Sequence, residues 1–377
     1  MKKALRLASL AAATAAALAF AGSAFASYSP KLVVSSLTPQ AAGGGGPVRV
    51  GVAVGTNDDP TAKASIYIPT GYQVATATPG TKLGDVTATA SAADLGGAVL
   101  PLTGELDAIA PTASSTAAAT QCGVSPAQTW DLHLTAAGQT LDIPMFVVAA
   151  TGPEAAAGFS TKLVVCLPPP DVPPGTPGRA VFGAKLLTAT FGSSAITQPT
   201  STGDYTWTSL WTPYTPGKGT PNAAGTVEVQ SVRHIPTQVK LVTTRSRVVA
   251  YKRVKGKRVK VVRTRVKFST TVTENGQAAA SAVVTTTAAG KRVGGASGSF
   301  VFAGGRTVTV VATAVVDSDS GSISTGQAAS PNDLRYHDLG AAGCKATAGL
   351  NPGVPCADAT VGGETVRATA TVKGYRR

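Results

Sequence analysis

Histidine, methionine and acidic residues are scarce in this chain of 377 residues. It has three histidines, two methionines and 19 acidic residues, and charged side chains of both signs make up only 14% of it. The H-E-x-x-H, G-x-S-x-G, Walker and Rossmann glycine patterns are all missing from the sequence. We therefore predict a protein that is not an enzyme and that needs no cofactor or bound metal.

The histidines leave one catalytic alternative open. His133, His234 and His337 have no recognisable nucleophile beside them in the sequence. Catalytic triads are assembled in space rather than along the chain, so a secreted hydrolase without a recognisable motif stays an alternative. The simpler interpretation places all three histidines on strand faces or at the surface.

Long apolar runs are absent after the first 26 residues. In that opening segment three basic residues precede an apolar run over 7–21 and the triplet Ala24-Phe25-Ala26. This is the pattern of a secretory signal peptide over residues 1–26, with cleavage after its last alanine. Ser27 follows, so the cysteine that carries lipid in a lipoprotein is missing. We expect a protein that is secreted or held at the cell surface, without a transmembrane segment in the mature chain.

Cysteine is limited to four residues, none of which forms a C-x-x-C motif or lies near a histidine in the sequence. A zinc site is therefore not expected. An even number of cysteines in an exported chain favours disulfides. We pair Cys122 with Cys166 and Cys344 with Cys356 because each bridge then stays inside one predicted domain. Two other pairings remain formally possible.

Turn-forming and β-forming residues are abundant. The chain has 42 glycines and 25 prolines, whereas strong helix formers are sparse. Between residues 31 and 230 short β-rich runs alternate with turn signals, which is the spacing of a β-sandwich. The stretch 130–134 alternates Trp, Leu and Leu on one face with Asp and His on the other. We predict an all-β fold of two tandem antiparallel, immunoglobulin-like β-sandwich domains, over 27–234 and 235–377.

Positive charge is concentrated in one segment. The chain has 33 basic residues, and eleven of them lie between residues 245 and 267, where no acidic residue occurs. Without the signal peptide and this segment, the net charge is zero. The segment 245–267 is typical of a β-hairpin that turns at Lys255-Gly256-Lys257, since glycine supplies the positive φ of a tight turn. The apolar phase changes between Val261 and Val262, so we predict a β-bulge or twist there.

The second domain resembles the bacterial immunoglobulin-like repeat domains of secreted and surface proteins. The resemblance covers residues 235–316 and is carried by 271–276 with its Asn275-Gly276 turn, by 295–302 and by 306–313. It implies an antiparallel β-sandwich in a family with adhesion, spacer and carbohydrate-contact roles, and it implies no particular site residues. The basic hairpin and the cysteine-containing tail after residue 317 depart from the family's pattern.

The basic hairpin is the candidate binding surface. Like charges on paired strands repel one another, and an anionic partner would relieve that cost. The candidate partners are an anionic envelope polymer or glycan, phospholipid head groups and extracellular nucleic acid, and the last is disfavoured because few aromatic side chains lie nearby. The structural alternative is an edge hairpin that basic side chains keep from pairing with other chains. The candidate residues are Arg247, Lys252, Arg253, Lys255, Lys257, Arg258, Lys260, Arg263 and Arg265.

A short aromatic stretch offers a different function. Tyr205, Trp207, Trp211 and Tyr214 include two of the three tryptophans. Exposed, such a group could stack on sugar rings as in a carbohydrate-binding module, but aromatic side chains more often fill a core or a domain seam. We favour the core and keep the carbohydrate-binding module as an alternative. The preferred function is a non-enzymatic structural or adhesion-like protein of the envelope or secretome, and the sequence indicates no oligomeric state.

Overall fold

The computed structural model describes residues 28–37, 45–136, 138–235, 237–317 and 334–376. The predicted signal peptide, residues 1–26, lies outside them. Most described residues are in strands and nearly all strand pairs are antiparallel, which confirms the prediction of an all-β protein. In the described part of the chain, no helix has the length and apolar character needed to cross a membrane.

Twenty-two strands are present in the described part of the chain. In chain order the first twelve are β1 Lys31–Ser36, β2 Pro47–Ala53, β3 Thr61–Pro69, β4 Gln73–Val74, β5 Lys82–Ala92, β6 Ala98–Ile109, β7 Gln128–Ala136, β8 Gln139–Ala149, β9 Phe159–Cys166, β10 Ala184–Thr197, β11 Gly203–Pro213 and β12 Val227–Ile235. The others are β13 Thr237–Val254, β14 Lys257–Glu274, β15 Gln277–Ala278, β16 Val283–Ala288, β17 Lys291–Gly294, β18 Ser297–Ala303, β19 Thr307–Val316, β20 Tyr336–Asp338, β21 Cys356–Gly362 and β22 Glu364–Lys373.

Helices are few and short. The longest, Ala113–Cys122, begins where the Thr112 side chain accepts a hydrogen bond from the Ser115 amide and ends at Gly123, whose φ of 67° suits glycine. Single turns of helix occupy Ala93–Leu95, Pro153–Ala156, Val181–Gly183, Ala223–Gly225 and Gly340–Gly343. In the described residues, the helical segments therefore lie in the connections between strands and form no layer of their own.

Fourteen strands form one large sheet in the order β1-β2-β10-β5-β6-β7-β8-β9-β3-β11-β12-β21-β20, with β4 paired to β10. The sheet curls until β1 lies beside β12 and β21. At this closure the Val34 amide donates to Ser231 Oγ at 2.9 Å, and Thr360 Oγ1 donates to the Leu32 carbonyl at 2.7 Å. Gly362 makes the approach possible, because a Cβ there would overlap the Val34 carbonyl oxygen.

The curled sheet surrounds one apolar core, to which strands from β1 to β12 contribute buried side chains. The period-two pattern of β7 is confirmed, since Trp130, Leu132 and Leu134 are buried in this core and His133 is exposed. A single sheet with one inner face replaces the two stacked sheets that we expected over 27–234. The stacked-sheet part of the prediction is therefore not confirmed for this region, because alternation identifies an inner face but not the sheet that lies opposite it.

Not every strand after the predicted boundary at 234/235 lies in the second unit. The chain leaves the large sheet after β12, but β21 returns to pair with β12 in parallel, and β20 pairs with β21. Residues 336–362 therefore belong to the large sheet, and β22 then rejoins the second unit. The chain crosses between the two units three times.

The second unit consists of two four-stranded sheets. One has the order β13-β14-β15 with β18 also on β14, and the other has the order β17-β16-β19-β22. Their facing side chains meet in two small cores, one around Val266, Val310 and Val372 and the other around Val272 and Val316. This is an antiparallel β-sandwich.

Both predicted disulfides are confirmed. Cys122 and Cys166 join the end of the longest helix to β9 with a Cα–Cα distance of 6.0 Å. Cys344 and Cys356 are 5.5 Å apart between Cα atoms and close the loop that leads into β21. The second bridge thus stabilises the returning part of the large sheet rather than the sandwich. Two disulfides are compatible with an extracellular protein.

Candidate functional site

The basic hairpin is built from the two longest strands. β13 and β14 pair without a register shift from Thr237 opposite Glu274 to Val254 opposite Lys257. Lys255 and Gly256 turn the chain with φ values of 48° and 77°, the left-handed pair of a type I′ turn. The predicted hairpin and its turn are therefore confirmed.

The bulge predicted near Val261 and Val262 is wrong, since the pairing is regular there. The third strand, β18, pairs with β14 only over residues 263–269, and no other described strand pairs with the hairpin between Val262 and the turn. Val262 and Val266 face the core, whereas Val259 and Val261 lie on the opposite face, in the part of β14 that packs on no core of the described residues. This change of face is the change of apolar phase seen in the sequence. Five pairs of the hairpin lie beyond Val262. At a rise of about 3.3 Å per residue, they extend for roughly 17 Å.

We call residues 247–265 the basic finger. All nine candidate basic side chains are exposed, and the same residues include no acidic one. Within the described residues, none of the nine takes part in a salt bridge. The finger is therefore a projection of one charge sign whose side chains are free to meet an external anion.

Charge repulsion is built into the finger. Arg253 and Arg258 lie directly opposite each other, one pair away from the pair that flanks the turn. Like charges in directly opposite positions destabilise a hairpin. Arg258 also stacks over the Tyr251 ring, 4.2 Å from the ring centre to the guanidinium carbon. A bound anion would offset the repulsion, and salt would screen it.

The aromatic residues of the carbohydrate-binding alternative are packed into the protein, as the favoured core interpretation expects. Trp207 and Trp211 are 0% and 1% exposed in the large core, and Tyr214 is buried with its hydroxyl donating to the Leu167 carbonyl at 2.6 Å. Tyr205 is half-buried with its ring edge-on to Tyr72. β11 lies between β3 and β12, so its alternate side chains enter the core. These four residues cannot form a stacking platform for a sugar from solution.

The three histidines lie on strands of the large sheet, His133 on β7, His234 on β12 and His337 on β20. His133 Nδ1 lies 2.6 Å from Asp142 Oδ1, and His234 Nδ1 lies 2.8 Å from Asp204 Oδ1. Partial burial, together with the charge of Asp142, raises the pKa of Asp131 to about 6, and the hydrogen bond to Asp142 raises the pKa of His133.

The ligand atoms of Asp131, His133 and Asp142 lie within 4.8 Å of one another, a group that could hold a divalent cation. Sequence reasoning missed this cluster. Asp131 and His133 share a strand face, but the register that places Asp142 opposite His133 follows from the β7–β8 turn. The cluster is largely open to solvent, so an ion pair also accounts for its geometry.

A buried charged cluster marks the junction of the two units. Arg233 and Glu364 are 2% and 7% exposed, and their Nη2 and Oε2 atoms are 3.3 Å apart. Arg233 also donates to Gln198 Oε1 at 3.3 Å and to the Gly362 carbonyl. Burial, and then the neighbouring Asp317 carboxylate, raises the pKa of Glu274 to about 8. This cluster contributes to the packing of the junction and is remote from the finger turn.

The large sheet has two cavities that could serve the hydrolase alternative. A groove of about 510 Å³ beside the helix Ala113–Cys122 is lined by alanine, proline, valine, isoleucine, glutamine and hydroxyl side chains, without an ionisable group. A smaller cavity of about 150 Å³ contains Asp142 as its one ionisable lining residue. Neither cavity brings together the acid, base and nucleophile that hydrolysis requires.

Comparisons with protein-family models, with curated proteins and with solved structures gave no match.

Proposed function

We propose that this protein is a secreted or envelope-associated, non-enzymatic attachment protein that holds an anionic surface through the basic finger. The observation that carries the proposal is the finger itself, in which nine exposed basic side chains project on paired strands without an acidic neighbour in the same segment. A surface of one sign raises the local concentration of oppositely charged partners and binds them in a salt-dependent manner.

The remainder of the molecule suits a supporting role. The curled sheet and the sandwich are both extensively paired, and two disulfides add rigidity. Two antiparallel sheets packed face to face also support assignment of the second unit to the immunoglobulin-like class that the sequence resembles. Such a body would hold the finger away from the rest of the protein.

The opposing interpretation is that the finger only guards an edge. Lysines and arginines on an edge strand prevent pairing with other chains, and that role needs no ligand. The length of the uncovered end favours attachment, because an edge guard needs only a short charged strand. A test must therefore distinguish the effect of where the basic residues lie from the effect of how many the protein has.

Retention on a polyphosphate matrix provides this test. The finger variant changes Lys252, Lys255, Lys257 and Lys260 to Gln. The control variant changes four exposed basic residues of the sandwich outside the finger to Gln, which are Lys291, Arg292, Arg306 and Arg367. Both variants lose the same net charge. We expect the wild type and the control to elute together at high salt and the finger variant to elute early. Co-elution of the two variants would refute the proposal.

A further inference from the structure

The two faces of the finger differ in chemistry. Residues directly opposite in an antiparallel pair point to the same side, and successive residues alternate. The face that continues the sandwich core carries Arg253, Arg258 and Lys260 around Tyr251. The opposite face, which we call the outer face, has an apolar centre that consists of Val248, Ala250, Val254, Val259 and Val261.

The third strand extends this apolar centre. β18 pairs with β14 so that Val301 lies opposite Arg265, which places Val301 on the outer face. Val254, Val259 and Val301 are 48%, 43% and 44% exposed, although each is a large apolar side chain. Exposed apolar side chains grouped in this way indicate a contact surface.

Basic residues frame the apolar centre on both strands. Lys252 and Lys257 lie among the valines near the turn, and Arg263 and Arg265 lie where β18 begins to cover β14. Lysine and arginine have long aliphatic stems, so their charged ends can reach phosphate groups while the valines sit deeper. The outer face thus has the composition of an interfacial membrane surface.

We propose that the outer face of the finger docks on a lipid bilayer that contains anionic phospholipids. This inference rests on the proposed function and identifies the anionic surface as a lipid bilayer. A soluble polyanion would use the cationic inner face equally well and would leave the valines in water. A bilayer accommodates both the valines, among head groups and upper acyl chains, and the basic frame, at the phosphates.

The finger lies flat on the bilayer in this arrangement. Insertion turn-first would drive Lys255 and Lys257, both at the turn, deepest into the apolar region, which is unfavourable. Flat docking instead keeps the basic frame of the outer face, Lys252, Lys257, Arg263 and Arg265, within reach of the interface. The depth is then that of a peripheral contact.

Binding to vesicles tests the inference. The apolar variant changes Val254, Val259 and Val301 to Ser. The control variant makes the same change at three other exposed valines, Val99, Val181 and Val283, which are 56%, 57% and 61% exposed. Vesicles of phosphatidylcholine alone are compared with mixed phosphatidylcholine–phosphatidylglycerol vesicles by sedimentation. Melting temperatures first establish that each variant is folded.

We expect the wild type and the control to bind the mixed vesicles alike and phosphatidylcholine vesicles weakly. The apolar variant should bind the mixed vesicles roughly tenfold more weakly, because three apolar contacts with the interface are lost. Its retention on polyphosphate should equal that of the wild type. Equal vesicle binding by the apolar variant and the wild type would overturn the lipid inference. Loss of polyphosphate retention by the wild type itself would instead overturn the proposed function.

A tryptophan reporter gives an independent measurement. The three native tryptophans, Trp130, Trp207 and Trp211, are at most 1% exposed, so a tryptophan introduced by Val259→Trp is the exposed fluorophore. We expect its emission to shift to the blue on mixed vesicles and not on polyphosphate. Val283→Trp should show no shift on vesicles. Absence of a shift for Val259→Trp on vesicles that sediment with the protein would overturn docking through the outer face.

Discussion

The junction between the units makes stability depend on pH through Glu274. Its carboxyl lies in a partly buried position at the end of β14, where Thr237 Oγ1 is 3.5 Å from Glu274 Oε1. Burial and the nearby Asp317 and Glu364 carboxylates raise its pKa from 4.5 to about 8, against the weaker opposing effect of Arg233. At pH values between these two pKa values, the folded state therefore holds a proton on Glu274 that the unfolded state has lost.

The sign of the effect follows from proton binding. A group whose pKa is raised on folding contributes its full stabilisation below the unfolded value, and this contribution is lost as the pH rises through the folded value. Between pH 5 and 8, one proton accounts for at most about 1.4 kcal/mol per pH unit. Because Glu274 is in part exposed, solvent screening narrows the pH interval over which this slope applies, and we expect a total loss of about 2 kcal/mol.

Glu274→Gln removes the titrating group and keeps the side-chain size. We expect its free energy of unfolding to fall less steeply with pH than that of the wild type, and to exceed the wild-type value by roughly 1–2 kcal/mol at pH 8. Asp131, whose pKa is raised to about 6, should leave a smaller slope in both proteins. Denaturant titrations at several pH values, followed by far-UV circular dichroism, measure the change across both units. Glu105→Gln, at an exposed position far from the junction, is the control. Identical slopes for Glu274→Gln and the wild type would refute the reasoning.

Two further predictions concern stability. Replacing Cys122 and Cys166 by Ser should cost about 4 kcal/mol for a separation of 44 residues, and the same change at Cys344 and Cys356 about 3 kcal/mol for a separation of 12; denaturation midpoints measure both, and the reverse order would contradict the loop-closure account. Gly362→Ala should cost about 1–3 kcal/mol, because the added Cβ overlaps the Val34 carbonyl oxygen. Gly295→Ala, where a Cβ would have only an ordinary contact, is the matched control, and equal melting temperatures for the two variants would contradict the tight closure of the sheet.

Local features of the fold could be predicted from the sequence. The alternation of β7 and the turn at Gly256 depend on neighbouring residues only, and those predictions are confirmed. The closure of the large sheet could not be predicted in the same way. It joins Leu32 to Thr360 and Val34 to Ser231, which are 328 and 197 residues apart in the chain. The need for glycine at position 362 becomes clear only when the Val34 carbonyl is known to lie opposite it.

The position of the candidate site could be predicted from the charges in the sequence. The chemistry of its two faces could not. The sequence placed eleven basic residues in one segment. The end of β18 opposite Arg263 decides where the core stops, and therefore which valines are exposed. That boundary depends on a strand more than 30 residues away in the chain, so the sequence alone does not distinguish the change of apolar phase from a bulge. The aromatic stretch was ambiguous for a related reason, since alternation along β11 does not reveal whether its inner face is covered.

The salt dependence of polyphosphate binding tests the central claim most directly. The logarithm of the binding constant, plotted against the logarithm of salt concentration, has a slope set by the number of charges that contact the polyanion, about 0.7 per charge on a single strand. We predict that changing Lys252, Lys255, Lys257 and Lys260 to Gln lowers the steepness by roughly three units. The control variant at Lys291, Arg292, Arg306 and Arg367 should keep the wild-type slope. Equal slopes for the two variants would contradict an attachment role for the basic finger.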